Sequence, residues 1–300
     1  MKDIFKVAIG ISRIPFLILV PVCILTTYSL IVHNGLGDSI HIAHLALVFT
    51  AALFAHVAVN AFNEYFDFKS GLDYCTVKSP FNGGSGTLLQ YPHNARMAFV
   101  YALICSIISL FIGIIFVFIQ GMLLLLYLSA GLICIWLYTP FFVKKTYLCL
   151  VAPGIGFGII IVNGSYTALT GHFSPLTLVL SLIPFCLVNN ILLLNQFPDM
   201  QADKTSGRNN VLIKFGKSTG AIISFSFLWI SMLLILFTGP IYKYIPVLSL
   251  IAIIPLIIGH IAVYGVYKAA NTRQASPYLA LNVAVSICTP VLLSISLILF

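Results

Sequence analysis

Three hundred residues, 60% of them hydrophobic and 7% charged, with a mean hydropathy of +1.09, exclude a water-soluble fold. A soluble domain carries about 25% charged residues to keep its surface wet, and 15 Lys and Arg with 7 Asp and Glu cannot do so over this length. The net charge of +8 would point a soluble chain toward nucleic acid; here the basic residues have another explanation, given below, and no nucleic-acid partner is expected.

A helix needs about 20 apolar residues to cross the hydrocarbon core. Breaks at Gly, Pro and charge predict nine such spans, at 14–33, 42–66, 97–118, 121–139, 147–168, 175–197, 219–238, 244–267 and 277–299. Lys2 and Lys6 precede the first apolar run as in a signal peptide, but no small-residue cleavage site follows, so a retained first helix is expected. The third and fourth spans meet at Gln120-Gly121, which leaves room only for a hairpin. Six of the seven cysteines lie in apolar runs and none forms a CxxC pair, so neither a zinc site nor a disulfide framework is expected. The expected fold is an all-α, polytopic bundle of nine transmembrane helices forming one domain over residues 1–300.

Orientation follows from the basic residues, which collect in cytoplasmic loops. With nine spans, 14 of the 15 fall on one side, from Lys2, Lys6 and Arg13 to Lys268 and Arg273, and only Lys243 lies opposite. The N-terminus is thus expected in the cytoplasm and the C-terminus outside, in a cell (inner) membrane.

Five of the seven carboxylates occupy two short segments on the basic side. One runs Asn63-Glu-Tyr-Phe-Asp67-Phe-Lys-Ser-Gly71-Leu-Asp73, and includes Glu64. The other runs Asn195-Gln-Phe-Pro-Asp199-Met-Gln-Ala-Asp203-Lys-Thr-Ser-Gly207-Arg208. Each has Asn-x-x-x-Asp, a further Asp and a nearby Ser-Gly. Repetition four spans apart predicts two pseudo-repeated halves around a central cavity. His56, Asn60, Asn63 and Asp67 step by 4, 3 and 4, which places them on one helix face over about 17 Å. Such a stripe cannot face lipid. Gly71 is expected to end that helix, and Pro198 to kink or unwind the sixth.

Other polar positions have simpler readings. Asn189 and Asn190 suit interhelical hydrogen bonds. His56 and His260 are expected to be packed or hydrogen-bonded, since no second metal ligand is spaced to join either. Gly154-x-Gly156-x-Gly158 lacks the strand–helix setting of a nucleotide loop and suits close helix packing.

Clustered carboxylate and amide oxygens suit Mg²⁺, which bridges a few acids to substrate phosphates. Acids alone repel phosphate, so a phosphate substrate requires the metal and nearby cations. Arg13, Lys69, Lys78, Lys144, Lys145, Lys204 and Arg208 are on the same side, although each alone equally marks orientation. A Phe-, Leu- and Ile-rich lining suits an isoprenoid tail. A cation-coupled transporter also uses repeated halves and intramembrane carboxylates, but wants them near the midplane, whereas these lie at one rim.

The chain resembles the UbiA superfamily of intramembrane prenyltransferases over nearly its whole length. Asn63, Asp67 and Asp73 are similar to that family's first aspartate-rich motif. Asp199 and Asp203, with Asn195 one turn earlier, are similar to the second. Arg13 in Ser-Arg-Ile-Pro matches the Arg of the family's first helix, and Tyr138 with Lys144 or Lys145 matches the Tyr and basic residue after the fourth. The Asn63–Asp73 spacing and Gly156-Phe157-Gly158 most resemble the 1,4-dihydroxy-2-naphthoate polyprenyltransferases of menaquinone synthesis. The chain departs from the family at Asn82-Gly-Gly-Ser-Gly86, where many members carry basic residues, and at Asn195-Gln-Phe-Pro, where Asn-Asn-x-x-Asp is commoner.

The resemblance implies an enzyme that transfers a polyprenyl group from its diphosphate to an aromatic acceptor, either 1,4-dihydroxy-2-naphthoate or another such as 4-hydroxybenzoate. It implies Mg²⁺ held by Asp67, Asp73, Asp199 and Asp203, with Asn63 and Asn195 assisting. It assigns Arg13, Lys145 and Arg208 to the departing pyrophosphate. Nothing in the sequence implies a protein partner.

Overall fold

The computed structural model describes residues 2–79 and 81–300; Met1, Pro80 and the side chain of Lys2 lie outside the described residues. All regular structure in the described residues is helical. In hydrocarbon a backbone must satisfy its own polar groups, and a chain of apolar runs does so as helices.

A short amphipathic helix, α1 (Lys2–Ile11), leads through a tight turn at Ile14–Ile18 into α2 (Leu19–His33). There follow α3 (Ile42–Ser70), α4 (Ala95–Gln120) and α5 (Leu123–Leu137). Next, α6 (Thr146–Gly154) runs through wide π-type turns at Ile155–Asn163 into α7 (Gly164–Thr170). The last are α8 (Pro175–Thr205), α9 (Val211–Leu236), α10 (Ile253–Lys268) and α11 (Thr272–Leu299).

Eight helical stretches are long and apolar enough to cross a membrane, so this is a multi-pass membrane protein. The predicted fourth span differs: α5 has only 15 residues, about 22 Å at 1.5 Å per residue, against roughly 30 Å of hydrocarbon. It nonetheless follows α4 through the predicted turn at Gly121 and carries the chain to Tyr138.

The most buried span is α8. It packs against α9, α11 and the α6–α7 stretch, and buries Ile183, Leu187, Leu193 and Leu194 almost completely. Pro198 does not unwind it: helical hydrogen bonding continues to Thr205. The expected glue is present. Asn190 Nδ2 donates to Asn282 Oδ1 at 3.1 Å, and Asn189 Oδ1 accepts from the Gly154 amide at 2.6 Å. The glycine triplet divides in two. Gly154 and Gly158 leave no room for a Cβ against α8, as close packing requires, whereas Gly156 faces open space.

Candidate active site

The first half of the site sits on α3. His56, Asn60 and Asn63 line one cavity, and Asn63 and Asp67 line the next, so the polar stripe faces inward along its length. Asn60 Nδ2 donates to Ser12 O at 2.9 Å and Asn63 Nδ2 to Thr139 Oγ1 at 3.2 Å, which ties α3 to the N-terminal segment and to the end of α5. Gly71, at φ 80°, ends the helix in the left-handed conformation that glycine adopts without strain. A helical turn at Leu72–Cys75 then returns Asp73 to the interior, where it is 3% exposed.

The segment that follows folds back over these carboxylates. Lys78 Nζ donates to Gly83 O at 2.7 Å and reaches Asp73 Oδ1 at 3.5 Å. Asn82 Nδ2 donates to Asp199 Oδ1 at 2.7 Å, so a loop of the first half touches the second motif. Gly84, at φ 74°, passes so close that a Cβ there would stand 2.8 Å from Asp73 Oδ1. Glu64 anchors the loop. Its Oε1 accepts from the Ser85 amide at 2.7 Å and its Oε2 from Ser85 Oγ at 2.6 Å.

The second half comes from α8 and the turn beyond it. Asn195, Asp199 and Asp203, one turn apart, line the same cavity as Asp67 and Asp73. Arg208 joins the motifs: one guanidinium nitrogen pairs with Asp67, and Nη1 lies 3.3 Å from Asp203 Oδ1. Asn210 donates to the other Asp203 oxygen at 2.9 Å while capping α9 through the Ile213 amide. Burial disfavours the charged guanidinium of Arg208, but Asp67 and Asp203 outweigh it and hold its pKa above the ordinary value.

Arg13 closes the cavity from the N-terminal side. Its backbone is left-handed, φ 52° and ψ 54°, a conformation that costs a non-glycine residue about 1–2 kcal/mol. What holds it is the ion pair from Nε to Glu64 Oε1 at 2.9 Å, with Nη1 donating to Asn63 Oδ1 at 3.4 Å.

Arg13, Asn63, Asp67, Asp73, Tyr138, Asn195, Asp199, Asp203 and Arg208 thus line one polar cavity. It adjoins an apolar cavity, and Arg13, Asn63, Phe81, Tyr138, Leu192 and Asn195 border both. Lys144 and Lys145 are not brought there. Both are exposed, and Lys145 Nζ lies 5.7 Å from the centroid of Phe141. After Pro140 a tight turn at Phe142–Lys144 directs the apolar Phe142 and Val143 inward, with Val143 on the cavity wall, and the lysines outward. Glu64, Lys78, Asn82 and the Gly83–Gly84 pair are the site elements that motif spacing did not single out.

Among the described residues, no three Asp, Glu, His or Cys side chains are gathered into a ready metal cage. Arg208 stands between Asp67 and Asp203, and Lys78 against Asp73. Mg²⁺ does not need such a cage, since it keeps waters and takes one or two carboxylates plus substrate phosphate oxygens. The donor set fits that ion. It is all oxygen, and Asp73 Oδ2 is buried without any partner. Burial, then the charges of Glu64 and Asp67, push Asp73 up to about 6 despite Lys78, the shift expected where buried carboxylates crowd together.

The profile of the UbiA prenyltransferase family matches residues 20–284. The chain belongs to that family. It is 29% identical over 186 residues to the 1,4-dihydroxy-2-naphthoate octaprenyltransferase of Bacillus subtilis (strain 168), a match covering 61% of this chain and 58% of that protein. This UbiA-family chain therefore matches less than two thirds of that relative's length. Its fold is similar to that of digeranylgeranylglyceryl phosphate synthase, with a TM-score of 0.69, 19% identity and 100% of both chains covered. It is also similar to a UbiA homologue from Archaeoglobus fulgidus bound to GPP and Mg²⁺, with a TM-score of 0.62, 14% identity, and 97% of this chain and 99% of that one covered.

Proposed function

We propose that this chain transfers a polyprenyl group from its diphosphate to 1,4-dihydroxy-2-naphthoate, with Mg²⁺ as cofactor. The observation that carries this reading is the junction of the two cavities: a polar chamber bounded by both acidic motifs adjoins an apolar one. That is the shape of a diphosphate head on an isoprenoid tail. The A. fulgidus homologue bound to GPP and Mg²⁺ supports the donor and the ion, and the B. subtilis relative supports the acceptor.

Asp67, Asp73, Asp199 and Asp203, with Asn63 and Asn195, would hold Mg²⁺, which supplies the positive charge that lets carboxylates and a diphosphate share a chamber. Arg208 and Arg13 stabilise the departing diphosphate, whose bridging oxygen takes the electron pair of the broken C–O bond. The allylic cation left behind lies among Phe16, Phe81 and Phe157, where water is excluded. A ring carbon of the acceptor supplies the electrons of the new C–C bond, and loss of a proton, or of CO₂ from a carboxylated carbon, returns the electrons of the broken bond to the ring and restores aromaticity.

Purified protein in detergent, given labelled geranyl diphosphate or a longer donor and a panel of aromatic acceptors, is expected to release pyrophosphate and yield prenylated naphthoate by mass only when Mg²⁺ is present. Prenylation of 4-hydroxybenzoate alone would reassign the acceptor, and no Mg²⁺-dependent transfer to any aromatic would overturn the reading. Because neither lysine lines the chamber, Lys144→Ala and Lys145→Ala are each expected to change turnover less than about threefold. A loss of the order of 10²–10³, the effect of removing a transition-state donor, would place that lysine on the diphosphate.

The same reading counts α5 as a ninth span, divides the chain into two similar halves and puts the motif loops in the cytoplasm. With native cysteines removed, a Cys at Ser206 is expected to resist an impermeant reagent outside intact cells, and a Cys at Lys243 to react. The reverse pattern would invert the topology.

A further inference from the structure

The apolar cavity contains polar groups that the mechanism above does not use, His56, Asn60 and Tyr138 among them. His56 is 7% exposed, lines that cavity, and has no hydrogen-bond partner at Nδ1. Buried polar groups are nearly always paired, so this imidazole calls for an explanation; Nδ1 itself is closed off, so a ligand in the cavity would have to use Nε2. Its stripe neighbours are already engaged, Asn60 with Ser12 and Asn63 with Thr139 and Arg13. The contact that fixes the ring uses neither nitrogen: His56 meets Phe157 edge-on, with centroids 4.8 Å apart and planes at 85°. The other histidine of the apolar helices is different. His260 uses Nδ1 on Leu256 O at 3.0 Å, packs against Phe225 and Trp229, and borders neither chamber of the site.

Gly156, next to Phe157, lines the same cavity, and a Cβ there would meet nothing within 4 Å, so there is open space near His56. Along α3, His56 lies seven residues from Asn63, about 10 Å of helix rise, which is one fused aromatic ring system below the rim where the diphosphate binds.

We infer that His56 is the acceptor-binding residue of this cavity, taking a hydrogen bond from the hydroxyl of a phenol-class aromatic that lies over Gly156 beside Phe157. This rests on the proposed prenyl transfer and adds to it a residue on the acceptor side. The bond has a consequence for rate. As the ring carbon attacks the allylic cation, positive charge builds on the ring and the hydroxyl becomes more acidic. A hydrogen bond accepted by neutral imidazole therefore strengthens toward the transition state. It also fixes which ring carbon faces the donor, a gain of orientation.

The test needs no turnover. Binding of 1-naphthol and of 1-methoxynaphthalene, which cannot donate, is measured by fluorescence titration on the full chain in one detergent. Comparing the ratio of the two dissociation constants across variants cancels micelle partition. Wild type is expected to prefer the naphthol by roughly tenfold, the worth of one well-made hydrogen bond. His56→Leu, close in volume and apolar, is expected to bring the ratio to about one, while His56→Gln, which still accepts, retains most of it. A folding defect would weaken both compounds together, so the ratio is scored on His56→Leu that binds 1-methoxynaphthalene as tightly as wild type, which shows that the cavity is intact. A ratio that survives His56→Leu, or wild type that does not discriminate, would overturn the inference. Discrimination as expected in a protein that transfers no prenyl group would overturn the proposed function and leave His56 as a phenol site.

Discussion

Asp67→Asn and Asp199→Asn are each expected to lower prenyl transfer by at least about 10³-fold, the upper range for loss of a single electrostatic contact in a water-excluded site. The substitutions keep shape and remove charge. Asp67 and Asp199 hold equivalent places in the two Asn-x-x-x-Asp segments and face one chamber from opposite helices. A hard cation loses most when a carboxylate becomes an amide, because the diphosphate supplies the remaining charge only after the ion is held. Two readings separate this from misfolding. Mg²⁺ with a non-hydrolysable prenyl diphosphate analogue should raise the Tm of wild type and not of either variant, while Tm without ligand stays within a few degrees. Asp73→Asn and Asp203→Asn are expected to be milder, each being one of several oxygens around the ion. Near-normal turnover of Asp67→Asn or Asp199→Asn at saturating Mg²⁺ would remove these residues from the metal site.

The parts of the site legible in the sequence are those governed by helical period. Positions 56, 60, 63 and 67 lie on one α3 face whatever the tertiary fold, because 3.6 residues per turn fixes it. The repeat of that pattern in α8 then selects a common chamber. Chain direction after a turn is not fixed in this way. Lys144 and Lys145 follow Pro140, and which of four consecutive residues turns inward was decided by the burial of Phe142 and Val143. In the glycine triplet, by contrast, helical period does separate the members: Gly154 and Gly158, four apart, share the face packed on α8, and Gly156, about 200° from Gly154, faces open space. The pairing of Arg208 with Asp67 spans 141 residues and exists only once the ends of α3 and α8 border one cavity. Fold class and the acidic core of the site are therefore local properties of this sequence, while the charge balance around them is a tertiary one.

Glu64 belongs to that second kind, and its replacement is the other large effect expected. It sits next to Asn63, about 100° around the helix from it, and so at the edge of the stripe rather than in its Asn-x-x-x-Asp pattern. In the fold it is 1% exposed and serves two clients: the Arg13 guanidinium on Oε1, and the Ser85 amide and hydroxyl on both oxygens. Arg13 is held in a left-handed backbone, and its remaining nitrogens border the chamber only while Nε is fixed. The Ser85 bonds hold down the loop that sets Asn82 against Asp199 and Gly84 against Asp73. Glu64→Ala leaves the partly exposed Arg13 guanidinium without its ion pair and frees the loop. It is expected to lower kcat/KM for the prenyl diphosphate by about 10². Glu64→Gln is the informative partner. It keeps an oxygen for the Ser85 amide and loses only the charge, so loop order should persist while Arg13 is no longer held by an ion pair. Amide hydrogen exchange over residues 82–86 should rise in Glu64→Ala and not in Glu64→Gln, with the kinetic loss in Glu64→Gln smaller, about tenfold. If both variants bind and turn over the donor within threefold of wild type, the Glu64–Arg13 pair is packing alone, and the charge on the leaving diphosphate is met by Arg208 without help from the N-terminal segment.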